Sequence, residues 1–126
     1  MSDASSAALP TGLRPFVPAA DFEKSKRFYE GLGFSIEFED GRVAVMCDGQ
    51  AHFILQNFHE KGLAENLMLQ LVVPDAEAWW AERQPEQLAQ TFGLRDPQPP
   101  AMPPWGRKVS YITDPSGVLW HIAELG

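Results

Sequence analysis

A strand that stops at a proline, with a capping aspartate just beyond, occurs twice in this chain. Val17-Pro18 leads to Asp21, and Val73-Pro74-Asp75 repeats the signal about 55 residues later. In the first copy, Leu13 to Val17 reads as a strand. Asp21 then opens a helix on which Phe22, Phe28, Tyr29 and Leu32 recur at helical spacing, ended by Gly31 and Gly33. Three strands follow, Phe34 to Glu39, Arg42 to Cys47 and Ala51 to Asn57, separated by the turn pairs Asp40-Gly41 and Asp48-Gly49. The second copy has Leu67 to Val73 as its strand and a helix carrying Ala76, Trp79, Trp80 and Arg83 toward Pro85. Strands near Leu88 to Leu94, Lys108 to Thr113 and Val118 to Glu124 complete it, the last two joined by Asp114-Pro115-Ser116-Gly117.

The expectation is therefore a βαβββ unit written twice, over residues 13–57 and 67–124. One such unit cannot cover its own sheet. Two curve into a half-open barrel with helices outside and a concave face, an α+β fold. Residues 1–10 read as a flexible N-terminal tail and 11–126 as a single domain, in keeping with the 126-residue length.

Charge and composition exclude several classes of function. Ten basic against 17 acidic residues leave a net charge of −7, the wrong sign for gripping nucleic-acid phosphates. The acidity favours a neutral or cationic partner, or simply keeps the protein soluble. No stretch has the ~20 apolar residues of a membrane span and no apolar signal core opens the chain, so the reading is cytoplasmic. The single cysteine, Cys47, excludes an internal disulfide and a cysteine-based metal site, and its apolar surroundings read as core. His52 and His59 have a spacing that suits no metal site. No nucleophile–base–acid set and no phosphate-binding glycine loop is visible.

The segment Pro18-Ala19-Ala20-Asp21-Phe22-Glu23-Lys24-Ser25-Lys26-Arg27-Phe28-Tyr29-Glu30-Gly31-Leu32-Gly33-Phe34 resembles the opening of glyoxalase, fosfomycin-resistance and bleomycin-resistance proteins, the vicinal-oxygen-chelate superfamily. Asp114-Pro115-Ser116-Gly117-Val118-Leu119-Trp120 is similar to the superfamily's closing hairpin. Metal-using members of that family ligate through positions that match Arg14, Met68 and His121 here. A guanidinium has no free lone pair and a thioether is a poor ligand for hard or borderline ions, so the resemblance implies no metal and no cofactor.

Within the superfamily the chain most resembles metal-free bleomycin-resistance proteins, through Gly33 to Phe38, Pro100 to Arg107, and the last strand with His121, Ala123 and Glu124. That resemblance implies a homodimer with ligand clefts at its interface, with N-terminal strands either exchanged between the subunits or not, and a small organic ligand, cationic and aromatic, stacked there and not transformed. It makes Glu37, Phe38 and Trp105 cleft residues, with Asn66, Arg107 and His121 beside them. The fifth strand departs from the pattern: Gln70 and Val72 stand where the drug binders carry aromatic side chains.

Each residue also has a plainer reading. Phe38 shares its alternation with Phe34 and Ile36, as a core residue would, and places Glu37 on the opposite face. Trp105 is either a stacking platform or a plug over the barrel end, in a proline-dense segment unsuited to regular structure. Trp79 and Trp80 read as core or interface, and His121 as an interior histidine. Arg14 would meet a ligand carboxylate or an internal glutamate. The competing functions are a lyase, isomerase or dioxygenase with an unconventional metal set, and a subunit whose concave face binds another protein.

Overall fold

A computed structural model describes residues 7–104 and 106–125. Its first module runs β1 (Phe16–Pro18), α1 (Phe22–Leu32), β2 (Ser35–Glu39), β3 (Val43–Asp48) and β4 (Ala51–Gln56). A short helix α2 (Lys61–Asn66) leads to the second: β5 (Met68–Val73), α3 (Ala76–Arg83), α4 (Pro85–Phe92), β6 (Gln98–Ala101), β7 (Val109–Thr113) and β8 (Leu119–Glu124). Two four-stranded sheets result, ordered β1-β4-β3-β2 and β5-β8-β7-β6. In each, the first strand lies parallel to the last and the remaining pairs are antiparallel. The α+β class and the duplicated plan are as the sequence indicates.

Local chemistry explains the first helix. The Asp21 carboxylate accepts from the Lys24 amide at 3.1 Å, and Phe22, Ser25, Phe28, Tyr29 and Leu32 form its buried stripe. Gly31 lies inside it, and only Gly33, at φ 118°, closes it.

The second module departs from expectation twice. Residues 85–92 form α4 rather than a strand. Pro85 occupies the first turn, where its missing N–H costs nothing, and Leu88, Ala89 and Phe92 share a face packed on α1. The sixth strand instead runs through Gln98-Pro99-Pro100-Ala101. It is an edge strand, paired only with β7 and irregular between Gln98 and Ala101, which is where a sheet tolerates proline.

The core sits between the sheets and the helices. Tyr29, Phe34, Phe53 and Trp120, from both modules, meet mostly edge to face with centroids 4.8–6.0 Å apart. Trp79 is buried and Trp80 partly so. Within this core the Tyr29 hydroxyl donates to Asp114 and accepts from Trp120 Nε1 at 2.9 Å. The other oxygen of Asp114 accepts the Ser116 and Val118 amides, so one carboxyl ties the closing turn to the first helix.

Burial pushes the Asp114 carboxyl above the usual carboxylate range, against the pull of the hydrogen bonds it accepts from Tyr29 and the turn amides. A raised folded-state pKa has a definite sign. The group's contribution is complete below the ordinary carboxylate pKa and is lost as pH rises through the elevated value. The unfolding free energy of the wild type minus that of Asp114→Asn should therefore fall across that window in urea titrations, then level off. A pH-independent difference would contradict the assignment.

Candidate functional site: the open sheet faces

Each sheet has one face in the core and one open. On the first sheet, register aligns Phe16, Ile54, Val45 and Phe38 in a single row across all four strands of the open face. Its ends are bare: Phe16 is 54% and Phe38 56% exposed. On the second, Val72, Ala123, Val109 and Ala101 form one row, and Gln70, His121, Tyr111 and Gln98 the next. Met68 and Val72 are 62% and 53% exposed there. Large apolar side chains left this bare are characteristic of surfaces that another body covers.

The alternation expected for β2 is broken by a bulge. Ile36 pairs with Met46 and Phe38 with Val45, leaving Glu37 without a partner. Phe34 and Ile36 therefore join the core while Phe38 turns to the open face, so the three do not share one face. The same bulge keeps Glu37 on Phe38's side, with its carboxylate 3.7 Å from His52 Nε2.

His52 lies directly across from Cys47, and Cys47 from Ser35, whose hydroxyl is 3.3 Å from the thiol. Cys47 is thus a half-buried residue of the open face and not a core residue. The ligand-type atoms of Glu37, Cys47 and His52 all lie within 4.8 Å of one another. Chain spacing conceals this grouping. It arises from cross-strand pairing, with the two-residue turn Gly49-Gln50 setting Cys47 against His52. The Asp48-Gly49 signal could have located that pair, whereas nothing local announces the bulge. Beside the cluster lies a hollow of about 560 Å³, lined by residues that include Arg14, Glu37, Gln50 and His52.

The remaining candidates belong to the second half. His121 is half-buried, its ring edge-on to Tyr111 at 4.7 Å, with Gln70 opposite on β5. Tyr111 is a site neighbour that sequence reading did not single out, and Gln70 is the fifth-strand position where the chain departs from the drug-binding pattern. Asn66 ends α2 and donates to the Gly62 carbonyl at 2.7 Å, and Arg107 is exposed between β6 and β7. Trp105 lies outside the described residues. The hollow that contains Glu37 includes neither His121 nor Asn66, so these residues do not line one cavity with it.

The positions at which metal-using relatives hold an ion do not suit one. Arg14 offers no lone pair, the thioether of Met68 is a poor ligand for hard or borderline ions, and Met68 is paired in register with Leu119 rather than with His121. A single imidazole remains, too few donors for a divalent ion.

A family model described as "Glyoxalase/Bleomycin resistance protein/Dioxygenase superfamily" matches residues 13–122. A bleomycin resistance protein from Klebsiella pneumoniae is 26% identical over 114 residues, covering 87% of this chain and 89% of that one. Among solved structures, the bleomycin-binding protein of Streptomyces verticillus complexed with copper(II)-bleomycin superposes with a TM-score of 0.77 at 20% identity, covering 94% of this chain and 99% of that one. An antibiotic-binding protein from a Streptomyces species gives 0.72 at 24% identity, with 94% and 98% covered. The duplicated βαβββ fold and the matched model agree: the chain belongs to the glyoxalase/bleomycin resistance protein/dioxygenase superfamily.

Proposed function

We propose that this protein binds and sequesters a small organic antibiotic, cationic and aromatic, in clefts formed where two copies pair. The observation that carries the reading is the apolar row whose two ends, Phe16 and Phe38, are bare, with its counterpart at Met68 and Val72. A second copy laid with its second sheet over the first sheet of its partner would cover both and leave a slot between them. Phe38 and Trp105 stack on the ligand, Glu37 meets its positive charge, and Asn66, Arg107 and His121 border the slot. Nothing in this scheme uses a metal at Arg14, Met68 and His121. The bleomycin-binding and antibiotic-binding relatives support the ligand class.

Calorimetric titration with bleomycin and with other cationic aromatic antibiotics tests the reading. Loss of a stacked tryptophan removes roughly 2 kcal/mol, so Trp105→Ala should weaken binding about 30-fold. Sedimentation should show a dimer. Unchanged affinity in Trp105→Ala would remove the assigned cleft.

A further inference from the structure

We propose that Glu37, Cys47 and His52 form a binding site for a divalent ion of the zinc class on the open face of the first sheet. This goes beyond the antibiotic-binding reading and shares with it only Glu37.

Three observations converge. The first is donor chemistry. One thiol, one imidazole and one carboxylate from three adjacent strands place their ligand atoms within 4.8 Å of one another. That mixed sulfur, nitrogen and oxygen set suits borderline ions and not magnesium or calcium, which take oxygen alone.

The second is the orientation of His52. Its Nδ1 is 3.3 Å from the Gln50 carbonyl oxygen, which can only accept, so Nδ1 carries the hydrogen. In the neutral ring the lone pair is then on Nε2, the atom that faces Glu37. A backbone carbonyl holding the far nitrogen of a histidine is the usual outer support of a metal ligand. Two acceptors, Nε2 and the carboxylate, face each other across 3.7 Å, an arrangement that a cation between them satisfies.

The third is spacing. Bonds of about 2.0–2.3 Å at a tetrahedral ion separate its ligand atoms by roughly 3.3–3.8 Å. Glu37 and His52 already stand at 3.7 Å, and the sulfur of Cys47, which is paired directly with His52, lies within 4.8 Å of both.

On binding, the Cys47 S–H bond breaks, a sulfur–metal bond forms and the proton passes to water, so affinity falls as pH is lowered. Three protein donors leave the fourth position open toward the hollow that Arg14 lines, where water or an anionic oxygen donor completes the shell.

The full-length, reduced protein titrated with Co²⁺ and then Zn²⁺ tests this without any organic ligand, so its failure would leave the antibiotic reading to the Trp105 experiment. We expect one Co²⁺ per chain, a near-ultraviolet thiolate-to-cobalt absorption band, and displacement by Zn²⁺. Cys47→Ser should abolish the band and His52→Gln should weaken Co²⁺ binding at least tenfold, while His59→Gln leaves both unchanged. Circular dichroism confirms that each variant is folded. Because Cys47 is the only cysteine, alkylation of the wild type by iodoacetamide gives a readout that needs no variant, and saturating Zn²⁺ should slow it at least tenfold. Absence of saturable binding, a band that survives Cys47→Ser, unchanged affinity in His52→Gln or undiminished alkylation would each overturn the proposal.

Discussion

Phe53→Ala is expected to lose about 3–5 kcal/mol of unfolding free energy, the range for an aromatic ring removed from a packed core. The side chain is 1% exposed, and its ring meets Tyr29, Phe34 and Trp120 at centroid distances of 4.8, 5.2 and 5.3 Å. Three edge-to-face contacts disappear together, and the hole lies where both modules meet, so neither can close it alone. Against a total stability of about 5–15 kcal/mol, that is enough to unfold part of the population at growth temperature. Thermal denaturation should show the midpoint lowered by roughly 10–20 °C. A shift of only a few degrees would mean that the modules repack independently.

The second large effect belongs to Gly33→Ala, for which we expect a loss of roughly 2–4 kcal/mol. Gly33 adopts φ 118°, a conformation that a Cβ makes costly. The added carbon would also overlap the Arg83 guanidinium, with contacts far inside van der Waals distance. That guanidinium donates to Asp48 at 2.7 Å and to the Leu32 carbonyl at 3.0 Å, holding α3 of the second module to the helix end and hairpin of the first. Displacing it breaks this tie and leaves a half-buried charge with fewer partners. Urea denaturation of Gly33→Ala, Arg83→Ala and the double variant separates the causes. If the arginine clash dominates, the double variant should be little worse than Arg83→Ala. Full additivity would place the cost in the backbone instead.

Much of the architecture follows from interactions that span only a few residues. Asp21 and Asp75 accept from amides three positions on. Asp114 binds the amides of its own turn. The Asp-Gly pairs reverse the chain wherever they stand. Signals of this range can be read directly along the chain, and they were sufficient to reveal a βαβββ unit written twice. The helix α4 was legible in the same way, since Pro85 in the first turn and Gly93 at the end bracket it. The strand expected near residues 88–94 gives way to this helix, whose apolar face is buried against α1.

The candidate site was legible only in part. By itself the sequence determined the doubled fold, the closing turn, and the lack of suitable donors at Arg14 and Met68, because these depend on residue type and near neighbours. Tertiary structure decided that a bulge turns Phe38 outward and keeps Glu37 beside it, that prolines can form an edge strand, and that Cys47 faces His52. Strand pairing joins residues through register, and register is settled by which apolar side chains reach the common core, a competition among distant segments that leaves no mark on the local chain.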